Sequence, residues 1–464
     1  MQANSSKRRV VVTGYGMVTP LGKDTDETFA RASRGESGID YIHSFDTTGL
    51  PCRIGGEVDD EWLQASEEPR ECKLDPSTGA PAMAGGSRSG FRPKGALEGA
   101  TGLPVGLHKF TYRGVKFALA AAREAAQQAG IGSIADRERI GVALGCHGAN
   151  QSVAALASLH RFYGSDGRWD VKALAQAGGY PYLHFFQRKP DVAMAILSAV
   201  FDCKGSNLAI VSACAAGAQA IGEAMRLIQE EKSDVMIAGG CEAMLDFVGF
   251  MGFVLIQALA NRYSSPQKAS RPFDRKRSGF VMGEGAGIVV LEELEHARTR
   301  GASILGELLG YGDSADAYRI TDTHPQGEGA VLAMRGALED ASLGPEAVDY
   351  INAHGTSTAQ NDAVETLAIK KVFGDRAKEI PVSSNKSMLG HTIAAAGAIE
   401  CILTLVGMQR SLILPTINYE FPDAKCDLDY VPNVARHHEH RIALSNSFGF
   451  GGQNACLCLG RFAS

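Results

Sequence analysis

Strand-like apolar runs alternate with helix signals through this 464-residue chain, and that alternation restricts the fold more than any other feature. A chain of this kind buries its strands in sheets and packs its helices on the sheet faces. Strand candidates lie at 9–13, 140–144, 208–212, 235–239, 287–292, 350–353, 441–445 and 455–459, and helix candidates at 110–129, 215–230, 329–341, 362–373 and 391–409. The sequence therefore predicts α/β layers, and its length suggests two domain-sized halves.

Cys214 stands where an apolar run ends and an alanine-rich helix pattern begins, in Val211-Ser212-Ala213-Cys214-Ala215. A cysteine at a helix N-terminus faces unpaired N–H groups and the positive end of the helix dipole, which favour the thiolate. A free thiol is only about 3% ionised at pH 7. We therefore predict a lowered pKa and a nucleophile, the alternative being an ordinary cysteine that fills the core.

Two later segments repeat this design with a histidine at the end of a strand-like run. They are 350–358, which contains His354, and 381–391, which ends at His391. A buried imidazole in a turn rich in hydroxyls and glycine is costly unless it is hydrogen-bonded or used. Together with Cys214, the two histidines predict a nucleophile with two groups that transfer protons or donate hydrogen bonds.

Several further motifs occur in a fixed order along the chain. They are Val12-Thr13-Gly14, Val18-Thr19-Pro20-Leu21-Gly22, Arg271-Pro272-Phe273-Asp274, Gly279-Phe280-Val281-Met282-Gly283-Glu284-Gly285-Ala286 and Asn446-Ser447-Phe448-Gly449-Phe450-Gly451-Gly452. With the cysteine and histidine segments, this set resembles the elongating β-ketoacyl-acyl-carrier-protein synthases, nearest the synthase II type. The resemblance runs from Arg9 to about Arg461, with one insertion.

The resemblance implies the thiolase fold, in which two similar βαβαβαββ halves form a five-layer αβαβα sandwich. We expect residues 1–268 to form the half that carries Cys214, and residues 269–464 the half that carries His354 and His391. Residues 66–106 are rich in Gly, Pro, Ser and charge and lack apolar periodicity, so they predict an exposed loop insertion. Partner docking is the alternative for that loop.

The resemblance also implies roles for the three central residues. Cys214 would accept an acyl group from a carrier thioester, and malonyl thioester would then lose its carboxylate and attack the acyl-enzyme. His354 and His391 would assist the decarboxylation and hold the thioester carbonyl as charge develops on it. By the same comparison, Phe450 is a gate beside Cys214, and its backbone N–H completes the oxyanion hole. The alternative for Phe450 is a tight glycine-rich hairpin that packs its rings in the core.

Other residues match family positions around the site. Lys386 and Glu400 would tune the charge there, although a structural ion pair is as plausible. Thr356 and Thr358 would hydrogen-bond the phosphopantetheine arm, or merely satisfy the backbone. The remaining matches are Phe253 and Phe448 for substrate binding, and Asp362 in support.

The chain departs from the family pattern at several places. Gln453 and Ser206 replace the usual threonine and proline, and Gln257 replaces an arginine that receives the acidic carrier protein. The bulky run 254–256 follows Phe253, where small residues are usual, and would narrow or reshape the acyl channel. The segment 180–201 matches the family mainly at its two phenylalanines. These differences bear on the substrate and the carrier.

Composition excludes several other classes of protein. With 46 basic and 52 acidic residues the formal charge is −6, so no basic field predicts nucleic-acid binding. No uninterrupted apolar run of bilayer length predicts membrane insertion, and residues 1–9 lack the apolar core of a secretory signal. The ten cysteines lie mostly singly, which predicts a reducing compartment, no disulfide and no metal site. We expect a cytoplasmic protein, or one of an organelle matrix if the chain is a mature form.

The resemblance thus implies a condensing enzyme of fatty-acid biosynthesis. Its substrates would be bound to the phosphopantetheine of an acyl-carrier protein, so no separate cofactor is expected. The chain would form a homodimer. Two alternatives stay open. One is a ketosynthase of a type II polyketide or polyene pathway. The other is a non-catalytic chain-length partner, against which the intact Cys214, His354 and His391 argue.

Overall fold

Ten strands make one continuous hydrogen-bonded sheet in the computed structural model, which describes residues 7–67, 103, 106–150, 152–178 and 182–462. The strands are β1 Val10–Val18, β2 Ile140–Gly145, β3 Asn207–Ile210, β4 Val235–Glu242, β5 Gly285–Glu293, β6 Gly306–Ala315, β7 Tyr350–Asn352, β8 Val382–Ser383, β9 Ile442–Phe448 and β10 Gln453–Gly460. Two short ribbons pair Asp40–Tyr41 with Ile54–Gly55 and Leu412–Ile413 with Arg436–His437.

The helices cover both faces of these strands. They are α1 Thr25–Ser33, α2 Asp60–Glu67, α3 Arg113–Ala129, α4 Val153–His160, α5 Val171–Gln176, α6 Tyr182–Gln187, α7 Asp191–Phe201, α8 Ala216–Gln229, α9 Phe247–Leu255, α10 Leu294–Thr299, α11 Glu328–Asp340, α12 Ala359–Phe373, α13 Lys386–Leu389 and α14 Ala396–Arg410.

The same five-stranded topology occurs twice. The first set runs β3-β2-β4-β5-β1 and the second β8-β7-β9-β10-β6, each with two parallel pairings followed by two antiparallel ones. The sets join where Val10–Val12 of β1 pairs with Gly306–Leu308 of β6. With helices α3, α7 and α8, and then α11, α12 and α14, both sets read βαβαβαββ. The internal duplication expected from the resemblance is therefore present.

The boundary between the halves differs from the expected one at residue 268. Strand β5 begins at Gly285, yet it pairs with β1 and β4 of the first set. Because β5 is hydrogen-bonded on both sides to strands of the first set, the first half continues through Glu293 and the second begins with β6.

Three buried clusters define five layers. Helices α3 and α7 pack on the outer face of the first strand set, and α11 and α12 pack on the outer face of the second. The central cluster joins α8 and α14 between the two strand sets. Within the described part of the chain, the stretch Ile393–Arg410 is the candidate membrane span by length and composition. However, 89% of its 18 residues are buried in this central layer, as expected of a core helix that is apolar all round.

All predicted strands and helices are present with ends shifted by a few residues, but strand β6 and helices α1, α2, α4, α5, α6, α7, α9, α10 and α13 were missed. Glycines interrupt the apolar run of β6, and the structure shows why they are there: a Cβ at Gly312 would lie 2.1 Å from the Ala333 carbonyl oxygen of α11. The glycines let α11 lie directly on the strand. The predicted insertion at 66–106 falls almost wholly outside the described residues.

Candidate active site

Cys214 lies in a single 3₁₀ turn, Ala213–Ala215, that leads into α8. Ala213 adopts a positive φ of 48°, a conformation that non-glycine residues rarely take. This sharp turn between β3 and α8 presents the thiol to the cavity while the side chain stays only 5% exposed. The strand-to-helix placement predicted from the sequence is therefore confirmed.

The predicted lowering of the thiol pKa is wrong. Burial raises the pKa of Cys214 to about 11, because the charged thiolate loses its hydration there. The backbone N–H groups of Phe450 and Cys214 and the Lys386 cation favour the thiolate and offset part of this effect. The turn thus aims N–H groups at the sulfur, as expected, but the resting group is a neutral thiol.

His354 and His391 meet Cys214 in one place. One ring nitrogen from each histidine and the sulfur all lie within 4.8 Å of one another. The two imidazoles pack edge to face, with ring centroids 5.3 Å apart and an interplanar angle of 82°. Burial, followed by the Lys386 cation, lowers the pKa of both histidines well below the usual value. Both rings are therefore neutral at pH 7.

The backbone fixes the tautomer of His391. Its Nδ1 accepts a hydrogen bond from the Ile393 N–H at 3.2 Å, so the proton of the neutral ring lies on Nε2. That Nε2 is buried without a hydrogen-bond partner among the described residues. The peptide of His391 is held by segment 281–283, through an N–H donated to the Val281 carbonyl at 2.7 Å and a carbonyl that accepts from Gly283 at 2.9 Å.

His354 is positioned by a buried carboxylate that sequence reasoning missed. Glu365 on α12 accepts hydrogen bonds from the N–H groups of His354 and Gly355, each at 2.8 Å. It also accepts from the amide of Asn446 at 3.2 Å, which ties the histidine segment to β9. In the sequence Glu365 is a lone glutamate in a helix pattern, and such a residue cannot be distinguished from a surface residue.

Lys386 and Glu400 form a buried ion pair beside the trio. Their side chains are 3% and 2% exposed, and the ammonium donates to one carboxylate oxygen, while Oε2 of Glu400 has no partner among the described residues. Burial raises the pKa of Glu400 to about 7, and the Lys386 charge opposes that rise. The cation acts electrostatically on Cys214 and both histidines, so it is near enough to bias all three.

The glycine-rich segment is a hairpin turn between β9 and β10, and it also lines the site. Gly449 donates to the Gln453 carbonyl at 2.7 Å, and Gly451 and Gly452 take positive φ angles of 87° and 76°. Phe448 is buried against His354, with ring centroids 5.8 Å apart. Phe450 is half-buried beside Cys214 and stacks on Phe253 at 6.3 Å. The two alternatives for this segment, a glycine-rich hairpin and a position beside Cys214, are therefore both present.

A cavity of about 270 Å³ opens on these groups. It is lined by predicted residues Cys214, His354, His391, Thr356, Thr358, Phe448 and Phe450. The two threonine hydroxyls lie 3.0 Å apart, and Thr358 also caps α12 by accepting from the Asn361 N–H at 3.2 Å. Thr358 therefore satisfies backbone and faces the cavity at once.

Other predicted residues lie behind the cavity wall. Asp362 is fully buried, accepts from the Phe273 N–H at 2.7 Å and lies 3.6 Å from the Arg277 guanidinium, so it anchors the 271–274 motif. Burial raises the pKa of this carboxyl. Of the bulky run after Phe253, Ile256 lines the cavity, whereas Leu255 is 74% exposed. The expected narrowing therefore concerns Ile256 rather than Leu255.

Some lining residues were not assigned to the site from the sequence. They are Ala258, Phe280, Thr321, Asp322, Thr323, Gln360, Asn361, Ile393 and Gly449. Phe280 and Gly449 stand within motifs identified in the sequence, so both had a signal. The run 321–323 follows β6 as an unremarkable polar loop, and only the fold brings it to the cavity.

Comparison with known proteins identifies the family. Residues 7–80 and 108–297 match the β-ketoacyl synthase N-terminal domain, and residues 305–420 match the β-ketoacyl synthase C-terminal domain. A curated relative, 3-oxoacyl-[acyl-carrier-protein] synthase 2 of Coxiella burnetii, is 40% identical over 458 residues, which are 98% of this chain and 99% of the relative. The chain belongs to the β-ketoacyl synthase family and is a condensing acyltransferase.

Solved structures confirm the thiolase fold. A β-ketoacyl synthase from Burkholderia phymatum is 31% identical with a TM-score of 0.78, covering 98% of this chain and all of that one. A type II polyketide ketosynthase solved with its acyl-carrier protein and bound to a hexaketide is also 31% identical, with a TM-score of 0.77 over 99% of this chain and all of that one.

Proposed function

We propose that this chain joins an acyl group held on Cys214 to malonyl-acyl-carrier protein with loss of CO₂, giving a 3-oxoacyl-acyl-carrier protein two carbons longer. The observation that carries the proposal is the convergence of Cys214, His354 and His391 within 4.8 Å on one cavity. A nucleophile with two neutral imidazoles suits acyl transfer followed by enolate formation.

Cys214 accepts the acyl group in the first step. Its sulfur attacks the carrier thioester carbonyl, the carrier thiol leaves with the proton, and a new thioester forms on the enzyme. The N–H groups of Cys214 and Phe450 already favour negative charge at the sulfur, and we assign them to the oxygen that becomes negative in the tetrahedral intermediate. Removing one such donor from other enzymes costs on the order of 10² to 10³ in rate.

His354 and His391 act in the second step. The Nε2–H of His391 donates to the malonyl thioester oxygen as CO₂ leaves, and His354 holds the same oxygen from the other side. The resulting carbanion attacks the acyl carbonyl and expels the Cys214 thiolate, which recovers a proton. Because neutral rings donate without bringing a full charge, their lowered pKa suits this task. Lys386 supplies positive potential to both.

The cavity fits the arm of a carrier-bound substrate. Thr356 and Thr358 contribute hydroxyls to its lining, and Ile256, Phe280 and Ile393 contribute apolar side chains. We assign the threonines to the phosphopantetheine arm and Phe253, with Phe448, to the acyl chain. This chemistry uses carrier-bound thioesters and requires no separate cofactor.

Fatty-acid biosynthesis is the pathway that the relatives favour, because the 40% identity to a 3-oxoacyl-acyl-carrier-protein synthase extends over almost the whole chain. A type II polyketide pathway is the second candidate, since the ketosynthase with a bound hexaketide has the same fold at 31% identity. The complete trio disfavours a non-catalytic chain-length subunit.

The partners that we propose are an acyl-carrier protein and a second copy of this chain. Strand β3 is the end strand of the first strand set and has exposed and half-exposed residues, and Val211 after it is 55% exposed. Its counterpart β8 is buried, and its Val382 N–H donates a further hydrogen bond to the Asp429 carbonyl at 2.8 Å. An open edge of this kind pairs with another strand, and a two-fold axis places β3 against β3. We place the enzyme in the cytoplasm or an organelle matrix.

Intact-protein mass spectrometry tests the reaction. Wild-type enzyme is exposed to acyl-carrier proteins of graded chain length, then to malonyl-carrier protein. We expect one acyl mass on the protein and a β-keto product two carbons longer, and the preferred length then identifies the pathway. Absence of loading from every carrier would overturn the proposed reaction for this chain alone and direct attention to a partner subunit.

A further inference from the structure

We propose that the resting site is also a binding site for Zn²⁺ or a similar thiophilic divalent cation, held by Cys214, His354 and His391 and excluding the acyl substrate. Within the described part of the chain, these three side chains form a cluster whose ligand atoms lie close enough together to hold one metal ion. The inference concerns the free enzyme and does not depend on the proposed reaction.

The donor set matches zinc in kind and in spacing. Zinc in proteins takes thiolate sulfur at about 2.3 Å and imidazole nitrogen at about 2.0 Å, which places the donors of a tetrahedral site about 3.5 Å apart. The three donor atoms here lie within 4.8 Å of one another, so closure requires movements of about 1 Å or less per side chain. One cysteine and two histidines leave the fourth position for water, as in open zinc sites.

Unpaired ring nitrogens provide an independent observation. Nδ1 of His354 and Nε2 of His391 are buried and have no hydrogen-bond partner among the described residues, although both rings are at most 3% exposed. A buried polar atom without a partner carries a desolvation cost, which a metal ligand bond removes. For His391 this requires the ring proton to leave Nε2, and the Ile393 N–H that now faces Nδ1 at 3.2 Å must then give up its bond.

Charge sets the selectivity. Lys386 opposes a cation, because its charge acts on Cys214 and on both histidines, and its ion pair with Glu400 offsets only part of that field. The thiol loses its proton to solvent as the sulfur–metal bond forms, so a divalent ion adds one net positive charge. A hard ion such as Mg²⁺ gains little from sulfur and imidazole, because it prefers oxygen ligands. Thiophilic ions are therefore expected to bind, and Mg²⁺ is not.

Metal binding and acylation compete for the same sulfur. A thioester sulfur is a poor ligand compared with a thiolate, so the acylated enzyme loses the site. We therefore expect thiophilic ions to inhibit the enzyme reversibly. Acyl-carrier protein that acylates Cys214 first should protect the enzyme, whereas the same protein added after an excess of the metal should not.

Cobalt spectroscopy tests this on the whole chain. Co²⁺ added to the resting enzyme should give a thiolate-to-cobalt charge-transfer band and the visible bands of a four-coordinate ion, and Zn²⁺ should abolish both. Cys214→Ala should remove the charge-transfer band. Cys203→Ser, which changes a buried cysteine away from the cavity, should retain it. Unaltered bands in Cys214→Ala would overturn the site.

A second measurement covers variants that fail to fold. Wild-type enzyme is treated with iodoacetamide with and without Zn²⁺, and alkylation of the peptide containing Cys214 is followed by mass spectrometry. Zn²⁺ should slow alkylation of Cys214 with Mg²⁺ inert, and His391→Ala should weaken that protection at least about 10- to 100-fold, the usual cost of disturbing a metal site. Equal alkylation rates with and without Zn²⁺ would contradict the proposal.

Discussion

The two halves of the molecule build the same turn and use it differently. In the first half, the 3₁₀ turn Ala213–Ala215 leads into α8, and in the second the 3₁₀ turn Ile393–Ala395 leads into α14. Both turns begin with a residue at positive φ, 48° at Ala213 and 45° at Ile393, and they pack against each other in the central layer. The middle residue is Cys214 in one turn and Ala394 in the other.

The ends of the second strands show a similar divergence. His147 and His354 each lie two residues beyond the last residue of β2 and β7. The ring of His147 contacts Glu242 at 2.5 Å, and that carboxylate raises the pKa of His147 despite burial. Among the described residues no carboxylate contacts the ring of His354, and burial, followed by the Lys386 charge, lowers the pKa of this histidine. A duplicated backbone thus holds the proposed nucleophile in one half and the neutral imidazoles in the other.

Cys214→Ala tests the difference between the two turns with the largest expected effect. The variant should show no acyl loading, because the cavity then holds no thiol. The matched control is Cys401→Ala on α14, which removes a buried thiol outside the cavity and should still load. Intact mass after exposure to acyl-carrier protein reads the result, and loading of the Cys214→Ala protein would show that the nucleophile lies elsewhere.

Replacing the two equivalent histidines separates their roles. His354→Ala should keep acyl loading, but its rate of malonyl decarboxylation should fall about 10²- to 10³-fold, the usual effect of removing one preorganised donor. His147→Ala should leave that rate nearly unchanged, since its ring contacts Glu242 and does not line the cavity. Radiolabelled CO₂ release measures both variants. Normal malonyl turnover in His354→Ala would remove its assigned role.

The buried ion pair tests whether Lys386 is structural or chemical. Lys386→Met leaves Glu400 uncompensated and should lower the free energy of unfolding by about 3 to 5 kcal/mol. Adding Glu400→Gln removes the orphaned charge and should recover most of that loss, measured by urea unfolding. If decarboxylation stays slow in the stable double variant, the cation contributes to chemistry; full recovery of the rate would make the pair structural only.

The pH dependence of thiol reactivity tests the electrostatics of the first turn. Because the pKa of Cys214 is raised to about 11, the thiolate fraction should grow about tenfold per pH unit through the neutral range and continue to rise above pH 9. Iodoacetamide alkylation of Cys214 in wild type reports that fraction, with Cys214→Ala as the blank. A plateau by pH 8 would mean that the helix N-terminus outweighs burial.

Much of this arrangement could be predicted from the sequence because it depends on local patterns. Cys214, His354 and His391 stand where apolar runs end in small polar turns, and those signals place them at strand ends that lead into helices, where α/β sheets present their sites. Electrostatics could not be predicted in the same way. The pKa of Cys214 depends on burial by segments far away in the chain, so an argument from the helix N-terminus alone gave the wrong direction.

The remaining surprises come from packing between distant segments. Glu365 orients His354 from a helix whose sequence shows nothing unusual, and the loop 321–323 reaches the cavity only because β6 lies beside β10. The missed strand β6 has the same origin, since its glycines make sense only with α11 lying on them. Contacts of this kind carry no local signature.

The most direct test of the account is a single-turnover measurement on enzyme loaded with acyl groups beforehand. Malonyl-carrier protein is added without free acyl donor, and CO₂ release, loss of the acyl mass from Cys214 and formation of the 3-oxoacyl-carrier product are followed together. The account predicts that all three proceed at one rate, with one CO₂ for each acyl group consumed. Release of the acyl group without CO₂, or CO₂ release that leaves Cys214 acylated and gives no longer product, would contradict it.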